Sequence, residues 1–190
     1  DVHVGEMIKD ACQKASDDRL VDFSQYDGDG DGKVDMVYVI FAGYGQNAGA
    51  PSNTIWPHKY QLSSFSINLT IDGKTIDTYA CSAELDGNSG TSSAGIGTVC
   101  HEFGHVLGLA DHYNTDDATD YQFGSYDIMD YGAYNNNCHT PPAYNAFERW
   151  TLGWLTPTAI SEPEDLMTLG ELAATNEAYL LSTRNPNEFY

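Results

Sequence analysis

The sequence predicts an α+β domain. Apolar residues recur at helical spacing over residues 4–15 and again over 96–107, a nearly continuous apolar and β-branched run covers Val34 to Ala42, and Ile67, Leu69 and Ile71 alternate up to the turn pair Asp72-Gly73. At 190 residues the chain is long enough to bury one core and too short for two independent ones.

Val4, Met7, Ile8, Ala11, Cys12 and Ala15 mark the inner face of a first, amphipathic helix. After an aspartate-rich loop, Val34 to Ala42 reads as a strand covered on both faces, and Gly43, Gly45 and Gly49 open a long loop behind it. Ile55 to Leu62 is a weaker strand interrupted by Pro57. Asp72-Gly73 then closes a hairpin whose return strand runs from about Thr75 to Ser82. Glycine and serine fill residues 87–95. Ile96, Val99, Cys100, Phe103, Val106 and Leu107 follow as the core-facing stripe of a second helix that stops at Gly108. Residues 111–140 are polar and without a period, long enough to be a functional loop rather than a connection. Pro141-Pro142 precede a further helix with Tyr144, Phe147, Trp150 and Thr151 facing inward, and Ala178 to Ser182 is strand-like again.

Only 8 Lys and Arg stand against 28 Asp and Glu, a net charge of -20 that repels nucleic acid and anionic lipid alike. No apolar run reaches the roughly 18 residues of a membrane span. Nineteen of the acids are Asp, whose short carboxylate suits loops that hold hard cations. The chain starts at Asp1 and shows no signal peptide, so it is expected to be a processed or trimmed piece. Cys12, Cys81, Cys100 and Cys138 contain no C-x-x-C pair, and the spacing leaves open two disulfides or four buried thiols.

The second helix carries the chemistry. His101, Glu102 and His105 form H-E-x-x-H, and residues four apart lie only about 40° apart around a helix, so both imidazoles reach one ion. Gly108 allows a sharp reversal three residues later, which swings Asp111 back toward the same metal. Two imidazoles and a carboxylate leave one zinc position open, the arrangement of a catalytic site. Glu102 is the natural general base for water attacking an amide carbonyl. The adjacent His112 is a rival third ligand, and His58 and His139 are more distant ones.

The stretch H-E-F-G-H-V-L-G-L-A-D-H-Y resembles the zinc motif of the immune inhibitor A family of secreted bacterial metallopeptidases, relatives of the metzincins. D-G-D-G-D-G-K-V-D at 27–35, I-W-P-H at 55–58, G-S-Y-D-I-M-D-Y-G at 124–132 and A-F-E-R-W-T-L-G-W at 146–154 are similar to that family in the same order. The resemblance implies a zincin-like fold: a twisted mixed sheet, a backing helix and an active-site helix above the cleft, and a smaller irregular lobe below. It places Met129 in a tight turn under the metal as packing, and Tyr131 as a candidate to hold the oxyanion. Ala110 departs from the family's usual proline without removing a ligand. The expected organisation is a catalytic domain over 1–157, with an upper lobe of about 1–108 and a lower lobe of about 109–157. Residues 158–190 would then begin a β-rich extension that continues beyond Tyr190.

Asp27, Asp29, Asp31, Gly32 and Asp35 reproduce D-x-D-x-D-G-x-x-D, a calcium-binding spacing to which Lys33 adds a backbone carbonyl. An EF-hand would need Glu where Tyr38 stands, so the loop reads as a single structural calcium turn. Asp116, Asp117 and Asp120 offer a less diagnostic second ion site. The combined expectation is a secreted, monomeric, calcium-stabilised zinc endopeptidase with a protein or peptide substrate, no nucleic-acid partner and no membrane insertion. The alternatives are a calcium-dependent extracellular binding module with a vestigial zinc site, and a zinc amidase acting on small or cell-wall substrates.

Overall fold

The computed structural model describes residues 2–116, 122–160 and 167–181. It is a mixed α+β arrangement of a long helix, a three-stranded sheet, a second helix beneath the sheet, and a mostly irregular segment below that. Helix α1 (Val2–Asp17) puts Val4, Ile8 and Cys12 into the main core, where they meet Leu62, Leu69 and Ile71. Strands β1 (Val37–Tyr44), β2 (His58–Gln61) and β5 (Thr78–Leu85) form one sheet in the order β1-β5-β2, with β1 parallel and β2 antiparallel to β5.

The strand covered on both faces is therefore β5, where Tyr79 to Ala83 are all buried, and not the Val34–Ala42 run. β1 has one partner among the described strands, so its outer edge stays open, and on its face Ile40 is 62% exposed. The apolar run reflects β-propensity there more than burial. Val34 lies before the strand and packs into the core, its N–H bonded to Thr75 O.

The hairpin forms as expected, between β3 (Leu69–Ile71) and β4 (Lys74–Ile76), with Asp72 at φ 52 and Gly73 at φ 77. Its return strand is not continuous to Ser82. Asp77 interrupts it, accepting Leu62 N at the backbone and Ser63 N and Oγ at the side chain, and the chain then crosses into the large sheet as β5.

Helix α2 (Ile96–Leu107) contradicts the expected core stripe. Ile96 and Phe103 are exposed, whereas Gly97, Glu102 and Gly104 are buried. A Cβ on Gly97 would lie 1.9 Å from Ala133 O, and one on Gly104 would lie 2.5 Å from Met129 Sδ. Backbone proximity to residues 128–138 sets the orientation of this helix, and hydrophobic side chains do not. A small second core of Leu109, Ile128, Met129 and Ala133, with Cys100, Tyr144 and Leu152 against it, fills the contact.

Residues 111–140 contain 3-10 turns at Gly124–Tyr126 and Tyr131–Tyr134 and a short turn α3 (Asn135–Cys138). Asn136, Asn137 and Cys138 all have positive φ, and asparagine tolerates that region best among residues with a Cβ. α4 (Ala146–Thr151) starts at Asn145 in a capping box with Glu148. Its inward residue is Glu148, while Phe147 and Trp150 are exposed, which reverses the expected facing. Strand β6 (Thr158–Ile160) pairs in parallel with β7 (Tyr179–Leu181), and α5 (Leu172–Thr175) between them is tied to α4 through Arg149. All four cysteines are free thiols, Cys12 and Cys81 buried and Cys100 and Cys138 half-buried.

The glycine face of α2 gives a direct test. Gly97→Ala should cost about 3 kcal/mol of unfolding free energy by forcing backbone apart, and Ile96→Ser under about 1 kcal/mol. Denaturant melts showing the reverse ranking would restore the apolar stripe as the packing face.

Candidate metal centre

Consecutive turns of α2 present His101 and His105 on one side, their rings 4.8 Å apart and nearly perpendicular. Gly108, at φ 103, reverses the chain. Asp111 returns so that its Oδ1 lies 3.2 Å from His101 Nε2 and 3.2 Å from His105 Nε2. The far nitrogens are already engaged, His101 Nδ1 with Ile128 O at 2.8 Å and His105 Nδ1 with Leu109 O at 2.9 Å. A carbonyl only accepts, so each Nδ1 carries the proton, and in the neutral ring Nε2 offers a lone pair. Two such lone pairs and the carboxylate converge on one point, and Asp111 Oδ1 is buried without a hydrogen-bond partner. Ligands about 2.0 to 2.1 Å from a tetrahedral ion lie roughly 3.3 Å apart, close to what is seen, so the donor set fits zinc. Burial disfavours charge on both histidines, yet the Asp111 carboxylate beside them and the backbone carbonyls outweigh it and raise their pKa values. Burial would raise Asp111, but the two adjacent imidazoles hold it well below the usual carboxylate range.

The rival histidines are not brought to this point. His112 turns away, its Nδ1 2.8 Å from Asp127 Oδ2 and its ring beside Phe123 and Phe147. His58 bonds Trp56 O and the Tyr79 hydroxyl, and His139 bonds Asn137 O. Glu102 is 6% exposed on the sheet side of the helix. Burial chiefly raises its pKa, against His101, His105 and the Lys59 backbone N–H that bonds its carboxylate, with the Asp111 charge adding to burial. Glu102, His101, His105, Asp111 and Tyr131 all line one open cavity of about 730 Å³. Tyr131 is 43% exposed there and stacks on Tyr134 at 5.5 Å. Met129 is fully buried beneath α2, against Gly104.

The description "Immune inhibitor A peptidase M6, catalytic domain" matches residues 2–155. The chain belongs to that family. Immune inhibitor A of Bacillus thuringiensis subsp. alesti is 34% identical over 129 residues, 58% of this chain and 18% of its own length. Pre-pro-metalloprotease PrtV of Vibrio cholerae serotype O1 is 25% identical over 135 residues, 60% of this chain and 14% of its own length. The chain thus matches less than a fifth of either relative. These relationships place it among peptidase catalytic domains with metalloprotease relatives. No described helix is long and apolar enough to cross a membrane.

Of the aspartate-loop residues, the structure gathers Asp27, Asp29 and Asp35, each with a carboxylate oxygen within 4.8 Å of the others. Asp31 stands outside that group, accepting Lys33 N at 2.8 Å, and its Oδ2 is 3.4 Å from Lys33 Nζ. The Asp27 side chain is 2% exposed; its Oδ2 takes Gly32 N and Lys74 Nζ, while its Oδ1 is buried with no partner. Lys74 foremost lowers the Asp27 pKa. Asp117 and Asp120 of the suggested second ion site lie outside the described residues.

Sequence reasoning missed a buried network beneath the centre. Asp127 accepts Met129 N, His112 Nδ1 and Asn145 Nδ2. Asp130 accepts the N–H groups of Phe123, Gly124 and Tyr131. Glu148, fully buried, caps Asn145 N with one oxygen and leaves Oε1 without a partner. Asn145 followed three residues later by Glu148 is a capping-box signature, so part of this was legible.

Burial first, and the Asp127 charge next among the terms that raise it, push the Glu148 pKa from an ordinary 4.5 to about 7. The folded protein therefore keeps a proton that the unfolded chain releases. That stabilisation is complete below pH 4.5 and is lost as pH rises through 7. Glu148→Gln preserves the cap and cannot ionise, so its melting temperature should gain a few degrees on the wild type between pH 4.5 and 7.5. A pH-independent difference between the two would show that Glu148 titrates normally.

Proposed function

We propose that the chain is the catalytic domain of a secreted, zinc-dependent endopeptidase stabilised by calcium. The observation that carries the reading is the convergence of two imidazole lone pairs and the orphaned Asp111 oxygen on one point of an open cleft, beside a buried carboxylate. His101, His105 and Asp111 would hold zinc, which when bound lowers the pKa of a water and polarises a carbonyl.

The remaining roles fall to this chain's side chains. Glu102 takes a proton from the attacking water as the new C–O bond forms at the scissile carbonyl. It delivers that proton to the amide nitrogen as the C–N bond breaks. Its raised pKa suits it to carry the proton between the two steps. Tyr131, at the cavity edge, donates its hydroxyl to the oxygen that gains charge. The Ile128 and Leu109 carbonyls fix both imidazoles, so a ligand loss elsewhere is not compensated by ring rotation. Residues 1–157 would form this unit, with lobes meeting near residue 108, and the β6–β7 region from 158 would begin a further β-rich part of a longer protein. The family relationship supports a peptide substrate, and the acidic surface gives nucleic acid no purchase.

Glu102→Ala should keep one zinc per chain and lose nearly all peptide hydrolysis, while Asp111→Ala should weaken zinc binding at least tenfold and His112→Ala should leave it nearly unchanged. Metal analysis after dialysis, with a fluorogenic peptide assay, reads all three. Full activity in Glu102→Ala would remove it as the base, and a metal loss confined to His112→Ala would move the third ligand.

Asp27, Asp29, Asp31, Asp35 and the Lys33 carbonyl are proposed to wrap one calcium ion, with the partnerless Asp27 Oδ1 as its innermost donor. Millimolar calcium should then raise the melting temperature by several degrees, and Asp27→Asn should abolish that rise. An unchanged melt with and without calcium would leave the loop merely acidic.

A further inference from the structure

We propose that the cleft selects peptides carrying a lysine or arginine next to the bond cleaved, and that Asp86 is the residue that recognises this cation. The inference rests on the peptidase reading above and adds to it a substrate class.

Asp86 follows directly on the central strand β5, and it lines both the main cavity and a smaller recess opening from it. The same end of the cavity is bounded by Thr98 and Cys138, whose Oγ1 and Sγ lie 3.7 Å apart. Asp86, Thr98 and Cys138 line both spaces together, and burial, with the Asp86 charge adding to it, raises the Cys138 thiol. Ala48 and Pro57 line both spaces with Asp86 and offer apolar surface to the methylene stem of a long cationic side chain in the main cavity, the recess itself being only water-sized. Thr98 precedes His101 by three residues on α2, about 4.5 Å along the axis. The corner therefore sits roughly one helical turn from the metal group, within reach of a residue flanking the scissile bond.

The backbone that carries Asp86 is held in place. Asp86 N bonds Ser92 O, Leu85 bridges Ser93, and the loop between is tied back by Tyr44 to Gly90 O and by Asn88 to Gly49 O. Among the described residues no lysine, arginine or histidine pairs with Asp86. Lys59 also lines the cavity, but it pairs with Ala80 in the sheet, and six residues of strand separate Ala80 from Asp86, about 20 Å. A net charge of -20 would further concentrate cationic peptides around the molecule.

The test uses the zinc-loaded full chain and a set of otherwise identical peptides with Lys, Arg, Leu or Glu beside the cleaved bond. Lys and Arg peptides should be cut with kcat/KM about tenfold above the Leu peptide, and Asp86→Asn should remove that preference while leaving the Leu peptide within about threefold. Asp86→Lys should turn the preference toward the Glu peptide. High salt should trim the advantage without abolishing it, because a subsite contact is screened less than long-range steering. A wild type indifferent to charge, or a basic preference that survives in Asp86→Asn, overturns the proposal. Binding of the Lys peptide to Glu102→Ala protein, compared with the Glu102→Ala, Asp86→Asn double variant, reads the subsite without turnover. If no peptide is cut but the double variant binds the Lys peptide about tenfold more weakly, the peptidase reading fails and the cationic subsite stands.

Discussion

The architecture of the site depends on one close approach. Helix α2 lies so near to residues 128–138 that Gly97 and Gly104 have no room for a Cβ. That contact brings the Ile128 carbonyl to His101 and seats Met129 beneath the helix. It also leaves the histidine side of α2 open to the cleft, with Glu102 turned toward the sheet. The sheet and the lower segment thus grip the helix from two directions, and the metal-ligand group occupies the gap between them. Gly108 completes the geometry because a single left-handed residue lets Asp111 return within one short loop.

A second constraint is electrostatic. The chain buries or half-buries carboxylates at Glu102, Asp111, Asp127, Asp130 and Glu148, and they are handled in three ways. Asp127 and Asp130 are saturated by backbone and side-chain donors, so they hold loops. Asp111 faces the Nε2 atoms of His101 and His105. Glu102 and Glu148 have too few donors for their burial and keep a proton to higher pH. Donor supply, more than depth, decides which of these acids stays ionised and which holds a proton.

Much of this was legible before any coordinates. The H-E-x-x-H spacing, Gly108 and Asp111 lie in one short stretch of chain, so local geometry determines how they meet. The same holds for the hairpin at Asp72-Gly73 and for the first helix. What stayed hidden was nonlocal. The apolar stripe of Ile96 and Phe103 pointed to the wrong face of α2, because the true packing surface is made of glycine, which carries no hydrophobic signal. Phe147 and Trp150 misled in the same way, while the inward residue was an acid. Val34 to Ala42 looked like the centre of the sheet, yet the strand order, which no periodicity encodes, gave that place to β5. β6 and β7 form their own small sheet, while α5 and Asn176 between them are tied to α4 through Arg149.

The outer position of β1 has a consequence for handling the protein. An edge strand with an exposed Ile40 is a template for pairing between molecules, and what keeps copies apart is mutual repulsion from the excess of acids. That repulsion vanishes near the isoelectric point of about 4.2. Acidification therefore removes the colloidal barrier while the strand edge stays in place. Near that pH, pairing through the open β1 edge becomes a hazard in handling the protein.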